Sequence, residues 1–397
     1  MPLTPELARR RLATFVFMFV IGVGFASFVV RTPAIRDLLS ASTAEMGIVL
    51  FGVSIGSITG VLSSAAVVRR FGARRAIMSG AASFVIGLTL MAVSAGLGSA
   101  PGVFVGLAFV GFGFGHAEIA INIEGAAIET LSGRSILPML HGCFSLGTVV
   151  GALIGIGMTA AAFPVDWHIG IVALAGAGAL LWAVPVLPAD TGRASGAVAT
   201  PGWRAQLAVW KQNRIVLLGV IVLALALAEG SANDWLPLLM VDGHGATATI
   251  GSVVFTGFAL AMTIGRFAGE PLLKRFGNAN VLRVSAIVSA IGIALVIFAD
   301  NLVVASVAVG LWGLGAALGF PVTLSAAADS DDPTTTVGAV ATAGYVAFLV
   351  GPPLLGFLGE HFGLRGAMIV VLVVVAGASL LTSAARPRAR VSIDTEA

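Results

Sequence analysis

The chain has 397 residues, of which 58% are hydrophobic and only 10% charged, and its mean hydropathy is +1.03. A soluble domain of that length needs far more charge to cover its surface, so the composition excludes a soluble globular class and predicts a lipid-embedded chain. The net charge of +3 does not mark a nucleic-acid partner, because the basic residues sit in short loops between apolar runs.

Apolar runs bounded by charge or by Gly and Pro predict twelve membrane helices. In chain order they cover 12–35, 45–68, 76–97, 101–128, 137–160, 167–187, 214–240, 247–273, 279–299, 302–328, 336–358 and 365–385. The first follows Arg9-Arg10-Arg11 without a cleavage site and reads as an uncleaved helix. The longest polar interval, 188–213, divides the spans into six and six. The fold class expected is an all-α membrane protein of two six-helix bundles, 1–187 and 214–397, joined by that linker. Eighteen of the twenty-two Lys and Arg residues fall on one side of this layout, including Arg134, Arg204, Arg388 and Arg390, so both termini and the linker are expected to be cytoplasmic.

The two halves repeat. Arg70-Phe71-Gly72 after span 2 returns as Arg275-Phe276-Gly277 after span 8, and Val105-Gly106-Leu107 in span 4 returns as Val309-Gly310-Leu311 in span 10. Parallel repeats of this kind build carriers whose site lies between the halves.

Ionisable groups inside the spans are the candidate site residues, because each costs roughly 2.5–3.5 kcal/mol unless it meets water or a partner. In span 4, Glu118, Asn122 and Glu129 fall on one stripe, while His116 and Glu124 point elsewhere. Glu118 reads as functional and Glu129 as a solvated helix end. In span 5, His141 and Ser145 share a face. In span 7, Glu229 and Asn233 are four apart, and Asp234 and Trp235 follow toward the outer end. Arg31 lies at that depth in span 1, so pairing with Asp234 across the halves is one expectation and snorkelling to headgroups the other. Arg266 and Glu270 in span 8 are four apart and read as a local pair. Trp235, Trp312 and Tyr345 offer rings for stacking.

Three apparent motifs carry no chemistry. Gly52-Val53-Ser54-Ile55-Gly56 spells a nucleophile elbow but lies inside a membrane span, and it and the Gly111–Gly115 run both read as close helix packing. Neither Lys211 nor Lys274 precedes Ser or Thr, so no phosphate-binding loop drives transport with ATP. With one cysteine, Cys143, no disulfide or thiolate metal cluster is expected, and neither a cofactor nor an enzymatic activity is read from the chain.

The loop Arg69-Arg70-Phe71-Gly72-Ala73-Arg74-Arg75 resembles the major facilitator superfamily signature Gly-x-x-x-Asp-Arg-x-Gly-Arg-Arg, with a second copy at 274–280. Arg69 and Lys274 stand where the signature has Asp. Glu118-Ile119-Ala120-Ile121-Asn122 is similar to the Glu-x-x-x-Asn of the proton-coupled fucose permease branch. His141 before Phe144-Ser145-Leu146-Gly147, Glu229-Gly230 with Asp234-Trp235, and Gly344-Tyr345 with Gly351-Pro352-Pro353 extend the likeness. The resemblance implies a monomeric inner-membrane carrier moving a small polar, sugar-like solute with protons by alternating access. Glu118 and Glu229 would couple protons. Asn122, His141, Ser145, Asn233, Trp235, Trp312 and Tyr345 would line the substrate site. Arg31, Asp234, Arg70, Arg74, Arg266 and Arg275 would gate. The alternative is a proton-driven multidrug exporter, for which Val322 and Ala326 at the span-10 positions matching Glu118 and Asn122 speak. A non-transporting sensor on the same scaffold would need a further soluble domain, which 188–213 does not supply.

Overall fold

The computed structural model describes residues 4–133, 136–193 and 208–387, so Arg134, Arg204, Arg388 and Arg390 lie outside the described residues. Among those described there is no strand. The helices are α1 (Pro5–Val29), the short α2 (Thr32–Leu39), α3 (Thr43–Phe71), α4 (Ala73–Gly96), α5 (Ala100–Ser132), α6 (Leu137–Ala160) and α7 (Val165–Val186). They continue as α8 (Asn213–Leu238), α9 (Ala248–Phe298), α10 (Leu302–Ala316), α11 (Gly319–Ala328) and α12 (Pro333–Leu381). Ten helical stretches among the described residues are long and apolar enough to cross a membrane.

Local chemistry sets the ends. Ser42 and Glu45 form a reciprocal capping box that starts α3, Ser99 caps α5, and Asn301 caps α10. The first predicted span stops at Val29, short of its expected end, because Pro33 lacks an N–H and suits only the first turn of a new helix. Arg31 therefore sits at a helix break rather than inside a span.

Helix α3 turns into α4 through the single residue Gly72, at φ 85° and ψ 160°. Gly277 inside α9 (φ 74°, ψ 161°) and Gly363 inside α12 (φ 71°, ψ 159°) repeat the bend, each after a phenylalanine. This corner of backbone space is open to glycine almost alone. The first two bends were visible as a repeated Arg-Phe-Gly. The third was not, because it reads His361-Phe362-Gly363.

Close glycine contacts bring helices backbone to backbone. On α3 a Cβ at Gly56 would lie 2.0 Å from the Ala108 carbonyl of α5, which is the packing role expected of the Gly52–Gly56 run. Helices α1 and α3–α7 pack chiefly on one another, as do α8–α12, and the two groups meet through α3 against α12 and α6 against α9. Among the described residues, four bonds join the groups away from the chain termini. Arg36 pairs with Asp242, Glu360 accepts from the Ala44 amide at 3.2 Å, Ser252 donates to Val30 at 3.0 Å, and Ser54 donates to Phe348 at 2.7 Å. Gly47 and Gly356 touch at the same end. Among the described residues the groups are therefore tied together at the end remote from the termini.

Candidate functional site

Three helices of the first group build one wall. On α5, Phe114, Glu118 and Asn122 are each four residues apart and share a face. The Phe114 ring stacks on Phe144 of α6 at 5.6 Å between centroids, and both approach Phe25 of α1, at 6.3 and 6.5 Å. Glu118 is partly buried beside this trio and has no hydrogen bond or ion pair among the described residues. Asn122 Oδ1 is buried and likewise unpartnered. His141 and Ser145 of α6 flank the same space, the imidazole exposed and the hydroxyl partly buried.

The facing wall is charged. Arg266 of α9 donates Nη2–H to Glu229 Oε1 of α8 at 3.0 Å, with the arginine side chain 44% exposed and the glutamate 15%. The Arg266 charge lies within electrostatic range of Glu118 and of His141, and Glu118 in turn acts on Tyr345 of α12. Groups from five helices therefore surround one space. Tyr345 is partly buried against Phe320, ring centroids 6.1 Å apart, and Asn233 lies one turn beyond Glu229 on α8.

Several sequence expectations are corrected. Arg266 does not pair with Glu270, which takes Lys274 instead at 2.6 Å, because Glu229 presents a carboxylate from the neighbouring helix. Arg31 does not pair with Asp234. Its guanidinium is buried, donates to the Phe163 carbonyl and leaves Nε and Nη1 without partners, while Asp234 has none among the described residues. Among the described residues the ion pair that spans the halves is Arg36–Asp242, farther from the chain termini. Trp235 and Trp312 are fully buried in the second helix group, Trp312 edge-on to Phe258, and face no open space. Both sit on helix faces turned into the bundle. Phenylalanines on the first group supply the aromatic wall instead. Arg70 and Arg275 each cover the next phenylalanine, at 5.1 and 5.3 Å from the ring centroid. Arg70, Arg74 and Arg275 make no bond across the halves among the described residues.

Two features escaped the sequence. Glu124 is fully buried and pairs with Arg10 of α1, whose Nη2 also donates to Thr191 at 3.2 Å. Glu129 is no merely solvated end: its Oε1 accepts from the amides of Ile136 and Leu137 and so caps α6. His116, as expected, faces away from Glu118, with Nδ1 2.9 Å from Ser63 Oγ on α3.

The profile of the Major Facilitator Superfamily matches residues 12–329 and 218–396. An uncharacterised transporter of that type from Yersinia pestis is 27% identical over 387 residues, covering 96% of this chain and 95% of the relative. Among solved structures, a single-residue mutant of the nucleoside transporter NupG superposes with a TM-score of 0.79 at 14% identity, over 96% of this chain and 99% of that one. The fucose:proton symporter FucP of E. coli gives 0.66 at 16% identity, over 95% and 98%. At such identities these likenesses show the fold.

Proposed function

This chain belongs to the major facilitator superfamily, and from that premise we propose that it carries a small polar, sugar-like solute with protons by alternating access. The observation that carries the reading is Glu118, a carboxyl inside the membrane with no partner of its own among the described residues, facing the Arg266–Glu229 pair across a shared space. A membrane carboxyl without a partner is retained at a cost of several kcal/mol, which a proton-binding role explains. With Glu118 protonated the wall is neutral, since Arg266 offsets Glu229. That suits an uncharged polyhydroxylated solute, for which Asn122, His141, Ser145, Asn233 and Tyr345 supply donors and acceptors. The fold relatives, a nucleoside transporter and a fucose:proton symporter, agree in solute class.

Twelve crossings belong to this reading. The stretches Ala248–Phe298 and Thr335–Ala385 have 51 residues each, ~77 Å of helix against a hydrocarbon core of ~30 Å, and each breaks at a left-handed glycine. The bundles are then 1–187 and 214–397, with a monomer in the inner membrane and termini and linker cytoplasmic, so the space between them faces inward. The second reading, a multidrug exporter, is favoured by the Phe25–Phe114–Phe144 wall, which would also hold an apolar cation.

The test is made in proteoliposomes. Ligands found by a thermal-shift screen of sugars, polyols, nucleosides and cationic drugs are used for transport. Glu118→Gln, which mimics the protonated carboxyl, is expected to keep counterflow exchange and lose proton-driven accumulation. Undiminished uphill transport by Glu118→Gln would remove the coupling role from this residue.

A further inference from the structure

Arg266 is the one cation on the described walls of the site, and it is only partly used. A guanidinium has five N–H donors in a planar fork. Here a single one, on Nη2, bonds Glu229, and the side chain is nearly half exposed to the open space. Glu118 stands across that space with no partner among the described residues. The remaining titratable groups that face Arg266 are His141 of α6 and Tyr345 of α12; α10 and α11 bring none. On the arginine's own helix Glu270 is occupied by Lys274, and Asp234 lies more than one turn outward from Glu229 on α8.

We propose that Arg266 is a counter-ion shared in turn by two carboxylates, held by Glu229 while Glu118 is protonated and drawn to Glu118 when that proton leaves. The inference rests on the proton-coupled reading above and assigns Glu229 a different part in it: a holder of Arg266, not a second proton carrier. The proton lost by Glu118 passes to water at the open end. The guanidinium already in place compensates the new charge on Glu118, and the single negative charge that remains passes to Glu229, whose side chain is 15% exposed beside the open space. Because Glu229 and Arg266 join α8 to α9 within the second bundle, moving Arg266 toward α5 loosens one bundle as it ties the two together. That links protonation to rocking of the halves through a difference in contacts between the two states.

Double-mutant cycles on the full-length protein test this, read as thermal midpoints in lipid nanodiscs at acidic and at alkaline pH. The Glu229→Gln/Arg266→Gln cycle is expected to show strong coupling in acid and to lose most of it in alkali. The Glu118→Gln/Arg266→Gln cycle should show the reverse. In a Glu118→Gln background the Glu229–Arg266 coupling should become independent of pH, and Glu118→Asp should restore part of the dependence. If Arg266→Gln does not fold, Arg266→Lys replaces it in each cycle. Equal Glu229–Arg266 coupling at both pH values in the otherwise native chain would overturn the proposal, as would an unchanged pH dependence in the Glu118→Gln background. Neither result depends on transport, so loss of this proposal and loss of the coupling role of Glu118 are separately readable.

Discussion

Removing the Arg36–Asp242 bridge should open the end of the molecule remote from the termini. Both partners are partly exposed, the arginine side chain 20% and the aspartate 32%, so the pair belongs with solvent-screened bridges worth roughly 0.2–1 kcal/mol. Arg36 also contacts Asp37 Oδ1, at 2.8 Å from Nη2 and 3.0 Å from Nε, and keeps that partner when Asp242 is lost. Asp242→Asn should therefore cost the closed state about 0.5 kcal/mol, a two- to threefold change in population. Glu360 forms a second latch by placing its carboxylate on the α3 N-terminus through the Ala44 amide, and Glu360→Gln should cost a further 0.3–1 kcal/mol or so. The two latches involve different residues on both sides, so their effects should add to roughly a four- to thirteenfold shift. The assay is alkylation of Asn233→Cys by an impermeant maleimide added at the outer face, in a Cys143→Ser background. Rates should rise in each variant, rise most in the double, and return when Arg36 and Asp242 are exchanged. Unchanged labelling in the double variant would show that this end is held by apolar packing alone.

Two further outcomes follow from local geometry. A Cβ at Gly72 would lie 1.9 Å from the Ala189 carbonyl, whereas nothing lies within 4 Å of one at Gly277; both substitutions to Ala carry about 1–3 kcal/mol of backbone strain, so Gly72→Ala should lower the thermal midpoint distinctly more, and equal losses would refute the docking of residue 189 on that turn. His244, in the loop after α8, has Nε2 2.9 Å from the Val296 carbonyl, and burial followed by the Arg365 charge holds its imidazole below the ordinary value. Between that lowered value and ~6.5 the unfolded chain takes a proton that the folded one does not, so stability should fall with acid through this window. His244→Asn should flatten the thermal-midpoint curve there, and an unaltered curve would assign the acid response elsewhere.

The sequence made the membrane class, the helical repeat and the stripe of Glu118 and Asn122 legible, since hydropathy and the 3.6-residue period act along the chain. Partner choice was not legible. Arg266 had Glu270 at ideal helical spacing, yet Glu229 won because neighbouring helices present groups that no local spacing reveals. The same limit misassigned the outer pair. Arg31 and Asp234 matched in depth, but Pro33 ended the helix early and turned Arg31 toward Phe163. The tryptophans were drawn to the site by their chemistry alone. Which face they occupy depends on bundle packing, and Trp235 and Trp312 face inward. Phe25, Phe114 and Phe144 carried no signal in a chain with 23 phenylalanines, although Phe114 lies four residues before Glu118.

The bend at Gly363 separates two properties that the basic loops combine. Gly72 and Gly277 turn the chain beside arginines, at the end that carries the termini, whereas Gly363 makes the same turn between His361 and Arg365 at the opposite end. The hairpin is thus a matter of one glycine and the phenylalanine before it, indifferent to which membrane surface it faces. The arginines around the other two add orientation to a corner that would form without them. Neutralising them should disturb how the chain is threaded through the bilayer while leaving the corner itself intact, which makes threading and bending independently adjustable in this architecture.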